Sequence, residues 1–207
     1  FIMVPRAAVS ADRIAEVLAT KPSVLDDEHP DTFGGRPQGK VEFQNVSFRY
    51  QNAENDVLEH ISFTALPGQT TAFIGSTGSG KSTLINLIPR FYDPTQGKIL
   101  IDGKDIRHLS QHELRQNIGY VPQKGILFSG DISSNLRYGD QEATDEQLKL
   151  AADIAQATDF IEATEGGFHN DISQGGSNVS GGQKQRLSIA RALVKQAPIY
   201  IFDDSFS

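Results

Sequence analysis

Hydrophobic and polar positions change their period several times along this chain of 207 residues. Residues 7–20 place apolar side chains at helical spacing between charged ones, which predicts a helix. Residues 21–39 are rich in Pro, Gly and acidic residues and show no periodicity, which is typical of a linker. Residues 41–50 and 57–66 alternate with a period of two, and the first run slips phase near residue 44. That pattern predicts an antiparallel pair of strands with a bulge.

From residue 70 onward, short apolar runs alternate with helical patterns. Four of these runs predict strands, at residues 70–75, 97–103, 117–123 and 199–202. The spacings Ser-x-x-Glu at residues 110–113 and Thr-x-x-Gln at residues 144–147 are capping boxes, which predict helix starts. Strands that alternate with helices predict an α/β fold with a mainly parallel sheet. The helical patterns between about residues 125 and 195 predict a separate helical lobe.

The composition is typical of a globular protein, with 38% hydrophobic and 22% charged residues. The net charge is −7 and the Lys and Arg residues are scattered, which argues against a nucleic-acid surface. The chain has no Cys, which excludes disulfides and thiolate metal sites. No apolar run reaches the roughly 18 residues of a membrane-spanning helix. The sequence begins with Phe and stops just after an acid-tipped strand, so we expect it to be truncated at both ends.

A glycine-rich motif lies between one predicted strand and an apolar helix. Residues 75–83 read GSTGSGKST and fit G-x-x-x-x-G-K-[ST] in the context that this motif requires. Backbone N–H groups of such a loop, together with the positive end of the helix, bind phosphate oxygens. We expect Lys81 to reach the β- and γ-phosphates and the Ser82 hydroxyl to ligate Mg²⁺. The predicted nucleotide-binding residues are Gly75, Ser76, Thr77, Gly78, Ser79, Gly80, Lys81, Ser82 and Thr83.

The alternative reading of this loop is a glycine-rich turn that binds nothing. A chance match is expected in about 1 in 100 chains of this size, and in fewer once the strand and helix are required. The apolar run IYIF at residues 199–202 then leads into Asp203. In phosphate-loop enzymes an acid at the end of such a strand holds Mg²⁺, so we expect Asp203 to complete the metal site.

Ser180 and Gln183 have the spacing of another capping box, which alone predicts a helix start. Gly181 and Gly182 between them are poor helix formers, at about 1 kcal/mol each relative to Ala. They are better explained if another molecule must approach this backbone closely. The exposed N–H groups of a helix start favour an anion, and the natural anion is a γ-phosphate.

The sequence VSGGQ at residues 179–183 resembles the signature motif of the ATP-binding-cassette (ABC) ATPases, with Val179 in place of the usual Leu. The order of glycine loop, YVPQ, signature and acid-tipped strand resembles that family over residues 40–207. The resemblance implies an α/β fold with a RecA-like P-loop NTPase core, an antiparallel β subdomain and an α-helical subdomain that carries the signature. It also implies a head-to-tail pair of such domains, in which residues Ser180, Gly181, Gly182 and Gln183 act on ATP held by the partner.

Two further positions follow from the resemblance. Tyr50 matches the aromatic residue that stacks on adenine in the family, and its alternative role is burial beside Val46 and Phe48. Gln123 matches the glutamine that senses Mg²⁺ and the attacking water, and its alternative role is that of a polar loop residue. Residues 172–178 occupy the place of a loop that contacts the transmembrane partner in exporters, but Gln174 stands near where Glu is common.

Residues 5–22 are similar to the stretch that joins the last transmembrane helix of an ABC exporter to its ATPase domain. The resemblance implies that residues 1–39 are a helix and linker after a missing transmembrane domain. Residues 40–207 would then be an incomplete ATPase domain with a helical subdomain at about 125–195. Such a domain would lie on the cytoplasmic face of a membrane, in contact with its own and its partner's transmembrane domains.

Asp204 departs from the family, in which the residue after the Mg²⁺-binding Asp is normally a catalytic Glu. The shorter side chain withdraws the carboxylate by about 1 Å, and such a misplacement can lower a rate by on the order of 10²-fold. We therefore expect this site to bind ATP and to hydrolyse it slowly. That combination resembles one half of a heterodimeric multidrug-type exporter with a degenerate site. The competing interpretation is a homodimer in which Asp204 works as the base.

Two other classes of function remain open from the sequence. One is a soluble ABC ATPase in DNA or translation work, which the exporter-like residues 5–22 disfavour. The other is a nucleotide-binding module that does not hydrolyse ATP. We expect the family's switch histidine to lie beyond Ser207, so this chain alone is expected to be inactive as an ATPase.

Overall fold

The computed structural model describes the backbone of residues 3–204 and the side chains from residue 7 onward. The helices are α1 (Met3–Ala19), α2 (Lys81–Leu87), α3 (Gln111–Gln116), α4 (Ile132–Arg137), α5 (Asp145–Ile154), α6 (Thr158–Glu162) and α7 (Gly181–Val194). The strands are β1 (Val41–Phe48), β2 (Leu58–Ala65), β3 (Gln96–Ile101), β4 (Lys104–Asp105), β5 (Ile118–Val121), β6 (Gly130–Asp131), β7 (Asp171–Ile172) and β8 (Ile199–Phe202). Two short 3₁₀ turns span Gly167–His169 and Gln174–Gly176.

The first four strands form an antiparallel sheet in the order β2-β1-β3-β4. The register of β1 shifts against both neighbours between residues 43 and 47. Asn45 has a positive φ of 51° at this shift, so the predicted bulge is confirmed. Asp102 and Gly103 also have positive φ and form a tight turn between β3 and β4.

One hydrophobic core joins this sheet to α2, α3 and the strands β5 and β8. β5 and β8 pair in parallel, from Ile118 opposite Ile199 to Val121 opposite Phe202. Both strands were expected from their apolar runs. Their parallel pairing places the residues that follow Val121 and Phe202 at the same edge of the sheet. The fully buried side chains of this core include Leu87, Ile99, Ile101, Ile106, Leu109 and Leu114.

The strand predicted at residues 70–75 is absent, and this prediction is wrong. These residues have no regular secondary structure, and Ile74 is 97% exposed. A parallel strand needs neighbours that pair its backbone and cover both of its faces. Within residues 3–204, β5 and β8 are the one parallel pair of strands, so the expected mainly parallel sheet is also corrected.

A second hydrophobic core lies among α4, α5, α6 and α7. α7 packs against both α4 and α5, and residues such as Leu136, Leu148 and Leu187 are fully buried. The capping box predicted at Thr144 and Gln147 starts α5, with both reciprocal hydrogen bonds present. These helices form the lobe that the sequence pattern predicted.

The helix predicted at residues 7–20 is present as α1 and begins earlier, at Met3. Its side chains from residue 7 onward are exposed. Among the residues that the structure describes, no helix combines the length and apolar character needed to cross a membrane.

Two glycines test how tightly the bulge is packed. Gly97 and Gly103 both have positive φ, but a Cβ on Gly97 would lie 2.3 Å from the Asn45 carbonyl oxygen, whereas one on Gly103 meets nothing within 4 Å. Gly103→Ala should lower the free energy of unfolding by the left-handed strain alone, about 1–2 kcal/mol. Gly97→Ala should lower the free energy of unfolding by a further 1–3 kcal/mol, roughly the cost of overpacking. Urea denaturation of the two variants measures the difference, and equal losses would contradict this packing.

Candidate functional site

The glycine-rich loop turns sharply before α2. The Ser79 N–H donates to the Ser76 carbonyl, and Gly78 and Gly80 have positive φ of 82° and 88°. Gly80 precedes the first residue of α2 and leaves the helix without a side-chain cap. The first N–H groups of α2 therefore keep their capacity to bind an anion.

Lys81 lies over the loop that precedes it. Its ammonium donates to the carbonyl oxygens of Gly75 and Ser76, at 2.7 and 2.8 Å. These bonds hold a positive charge beside the glycine backbone, where phosphate oxygens can compete for it. The arrangement fits the role that the sequence predicted for Lys81.

Ser82 and Asp203 meet across the core, although they are 121 residues apart. The Ser82 hydroxyl donates to Asp203 Oδ1 at 2.9 Å. The Asp203 N–H donates to the Val121 carbonyl, which fixes the acid at the end of the β5–β8 pair. A hydroxyl and a carboxylate are hard oxygen ligands of the kind that Mg²⁺ prefers, so the two residues fit a magnesium site.

Gln123 and Asp204 form a second pair at the same edge. The Gln123 amide lies 3.4 Å from Asp204 Oδ2, and both residues are exposed. Asp204 has a positive φ of 45° just after β8 ends, which is uncommon for a residue other than Gly. The two residues predicted to handle water are therefore adjacent to each other and to the acid that follows β8.

Tyr50 contacts the helix that follows the glycine loop. Its hydroxyl is 2.9 Å from the hydroxyl of the buried Thr83. Its ring packs edge-on against Phe48 and Tyr92, with ring centroids 4.9 and 5.3 Å away. The half-buried ring therefore packs beside Phe48, as one interpretation expected, and its stacking on adenine stays a prediction.

Ser180 caps α7 as predicted. Its hydroxyl accepts from the Gln183 N–H while the Gln183 side chain accepts from the Ser180 N–H. Each of these two side chains therefore bonds the backbone N–H of the other residue. Among the residues that the structure describes, a Cβ on Gly181 or Gly182 would meet nothing within 4 Å, so packing against them does not require glycine at either position.

Sequence reasoning missed two residues that support the site. Burial and the nearby Asp203 carboxylate raise the pKa of Tyr120 to about 12, so its hydroxyl stays protonated and donates to Asn86 in α2. Gln185 donates to the Pro122 carbonyl and accepts from the Gly125 N–H, which ties the loop around Gln123 to α7. No spacing in the sequence relates these partners, because tertiary packing brings them together.

Comparison with known proteins agrees with this geometry. The family model described as "ABC transporter" matches residues 58–207. The chain therefore belongs to the ABC transporter family, and the interpretation of its sequence as an ABC-type ATP-binding domain is confirmed. ABC ATPase domains bind ATP, generally with Mg²⁺.

Its relatives are longer proteins. The chain is 46% identical over 208 residues to an uncharacterized ABC transporter ATP-binding protein of Mycobacterium tuberculosis, covering 99% of this chain and 35% of the relative. It is 48% identical over 203 residues to the beta-(1→2)glucan export ATP-binding/permease protein NdvA of Rhodopseudomonas palustris, covering 96% of this chain and 33% of that protein. The chain thus spans about a third of the length of these curated relatives.

A solved structure also shares the fold. A bacterial Atm1-family ABC exporter with ATP bound matches with a TM-score of 0.89 and 36% identity, covering 98% of this chain and 35% of that one. The α/β fold expected from the sequence is therefore confirmed as that of an ABC exporter's ATP-binding domain.

The signature glycines generate a stability prediction. Because Gly182 has open space around it, Gly182→Ala should raise the free energy of unfolding by about 0.5 kcal/mol through helix propensity. Gly125→Ala is the contrasting variant, because its Cβ would lie 2.7 Å from the Lys184 carbonyl oxygen. This substitution should lower the free energy of unfolding by about 1–3 kcal/mol. Chemical denaturation measures both, and a destabilised Gly182→Ala variant would show that α7 itself needs this glycine.

Proposed function

We propose that this chain binds Mg·ATP between its phosphate loop and its acid-tipped strand and supplies the ATPase part of a membrane exporter. The Ser82–Asp203 contact of 2.9 Å carries the proposal. It joins the motif residue expected to ligate Mg²⁺ to the acid expected to complete that site. The family membership supports ATP as the nucleotide.

Each residue of the loop has a distinct task in this proposal. Lys81 exchanges its bonds to the Gly75 and Ser76 carbonyls for bonds to phosphate oxygens, which places its charge against the triphosphate. The backbone N–H groups of the loop bind further phosphate oxygens. Ser82, Asp203 and Gln123 would hold Mg²⁺, which would supply positive charge against the phosphates. Tyr50 offers its ring to the adenine base.

Hydrolysis requires that water attack the γ-phosphorus. The water oxygen bonds to phosphorus while the bond from phosphorus to the bridging oxygen breaks, and ADP and inorganic phosphate are released. Gln123 orients the water and Asp204 accepts its proton. Because the Asp204 carboxylate is set back by about 1 Å relative to a glutamate, we propose that this step is slow.

We further propose that two such domains assemble head to tail. Gly181 and Gly182 begin a capped helix with bare N–H groups and open space, which suits the γ-phosphate of a nucleotide held by a second domain. This chain then offers a nearly complete signature to its partner while its own site is weak. A heterodimer with one degenerate site follows from that asymmetry.

The exporter assignment rests on the relatives. Both the NdvA glucan export protein and the Atm1-family exporter are named for export. We propose that this domain works on the cytoplasmic face of a membrane, coupled to transmembrane domains of its own chain and its partner, and that α1 leads toward them.

Removing the lysine tests nucleotide binding. Lys81→Ala should weaken ATP binding by about tenfold or more, roughly the free energy of one charged hydrogen bond. Lys149→Ala is the matched control, because Lys149 is exposed on α5 in the helical lobe. Calorimetric titration with ATP measures both, and equal affinities in the two variants would contradict the site.

Metal removal tests the Ser82–Asp203 pair separately. Chelation of Mg²⁺ should weaken ATP binding by the native chain. The difference in ATP affinity with and without Mg²⁺ should be smaller in Ser82→Ala, because one metal ligand is lost. The readout is the ratio of dissociation constants with and without Mg²⁺. An unchanged ratio in Ser82→Ala would exclude Ser82 as a ligand.

The second aspartate has its own test in the assembled transporter. Asp204→Glu should raise ATP turnover at least tenfold. The longer side chain moves the carboxylate back toward the water, and a misplacement of that size can lower a rate on the order of 10²-fold. Asp204→Asn should not raise it, since an amide cannot accept the proton. No increase with Glu would instead favour a homodimer in which Asp204 already works, or a module that does not hydrolyse ATP.

A further inference from the structure

Residues 24–40, which we name the strap, look like a linker in sequence and lack helix and extended strand in the structure. They are nevertheless bonded along their length to the ATPase core. Asp31 forms an isolated parallel bridge with Leu109, and the Asp31 N–H donates to the His108 carbonyl at 2.7 Å. The strap is therefore fixed to the domain by specific hydrogen bonds, despite a composition typical of flexible segments.

Arg90 is a buried, charged partner of the strap. It is only 3% exposed, and its backbone has a positive φ of 55°. One guanidinium nitrogen donates to the Leu25 carbonyl of the strap at 2.8 Å, and another donates to the Leu109 carbonyl at 3.2 Å. Asp93 accepts from Arg90 at 2.8 Å and balances its charge. A buried guanidinium with partners on three segments holds them in one arrangement.

Neighbouring contacts continue this attachment toward α3. The Asp26 carboxylate lies 3.6 Å from Arg90 and accepts from the Gln111 backbone N–H at 3.0 Å. The Glu113 carboxylate accepts from the Phe33 N–H of the strap at 2.8 Å. This corrects the predicted capping box at Ser110, because Ser110 caps α3 while Glu113 bonds the strap and not the helix start.

The far end of the strap has a separate anchor. The Asp102 carboxylate accepts from the backbone N–H groups of Gln38, Gly39 and Lys40, at 2.6, 3.2 and 2.9 Å. Asp102 lies in the turn between β3 and β4, whereas Arg90 follows α2. The two anchors can therefore be loosened independently.

Arg90 also connects to the phosphate loop through α2. It follows closely after this seven-residue helix, whose first two residues are Lys81 and Ser82. The Arg115 guanidinium of α3 donates to the carbonyls of Pro89 and Arg90, both at 2.9 Å, and so bonds the same segment. Any shift of the strap that moves Arg90 therefore acts on the end of the helix that carries the phosphate-binding residues.

We propose that Arg90 is a positioning residue of the nucleotide site, which fastens the strap to the end of α2 and so holds Lys81 and Ser82 in place. The nucleotide part of this inference rests on the proposed function, whereas the fastening does not. The strap then links α1 to the phosphate loop, and a nucleotide that orders α2 also orders the strap. Because coupling is reciprocal, each effect can be measured from either side.

The test uses the chain itself, with hydrogen exchange of strap amides and calorimetric titration of ATP. In Arg90→Met the amides of residues 31–33 should exchange at least tenfold faster, because their local opening costs less free energy. The same variant should bind ATP about fivefold or more weakly, the lower range of allosteric coupling. Arg90→Lys keeps the positive charge, so it should show smaller increases in exchange rate and smaller losses of ATP affinity than Arg90→Met. Adding Mg·ATP to the native chain should slow exchange at residues 31–33.

Asp102→Asn is the matched control, because it loosens the strap at its other end. It should speed exchange at residues 38–40 and leave ATP affinity unchanged. If Arg90→Met does not fold, Asp26→Ala removes a strap contact at the same place without changing a buried side chain. It should also speed exchange at residues 31–33 and weaken ATP binding, each by less than Arg90→Met.

The outcomes separate the fastening of the strap by Arg90 from the positioning role of Arg90 at the nucleotide site. Native exchange at residues 31–33 in Arg90→Met and Asp26→Ala overturns the fastening. Faster exchange with unchanged ATP affinity overturns the positioning role, as does an equal loss of affinity in Asp102→Asn. If the native chain binds no ATP, the proposed function fails and the positioning role fails with it, while the exchange data still decide the fastening.

Discussion

The contact between the Ser82 hydroxyl and the Asp203 carboxylate is the interaction on which the site depends. It requires that α2 begin at the end of the β5–β8 pair, so the hydrophobic core beneath must be correctly packed before the two residues can meet. Burial of apolar side chains supplies that placement, since a single hydrogen bond contributes only about 1 kcal/mol net. The polar site is thus a consequence of the core and contributes little to its stability.

The functional groups face constraints that differ from those of the core. Lys81 bonds to loop carbonyls and Gln123 lies near Asp204, so both residues hold polar partners that a ligand can replace. Gly181 and Gly182 have space for a side chain and lack one. These choices are inefficient for folding alone, which agrees with the binding roles proposed for these residues.

Fixed polar anchors extend the domain beyond its two hydrophobic cores. Arg90 donates to the Leu25 carbonyl of the strap, and Asp102 accepts from three strap N–H groups. Gln185 joins α7 to the loop that carries Gln123. Because these anchors bond backbone groups of irregular segments, the loss of an anchor removes the partner of those groups. Such anchors give irregular segments a defined position, which hydrophobic patterning alone does not provide.

The sequence by itself determined the local features: the glycine loop, the bulge in β1, the capped starts of α5 and α7, and the acid after β8. These depend on neighbours a few residues apart, so periodicity and spacing record them. Only the tertiary structure decided that residues 70–75 form no strand, that Glu113 bonds the strap, and that Ser82 meets Asp203. Each of these outcomes depends on partners far away in the chain, and local composition carries no information about which distant groups will be near.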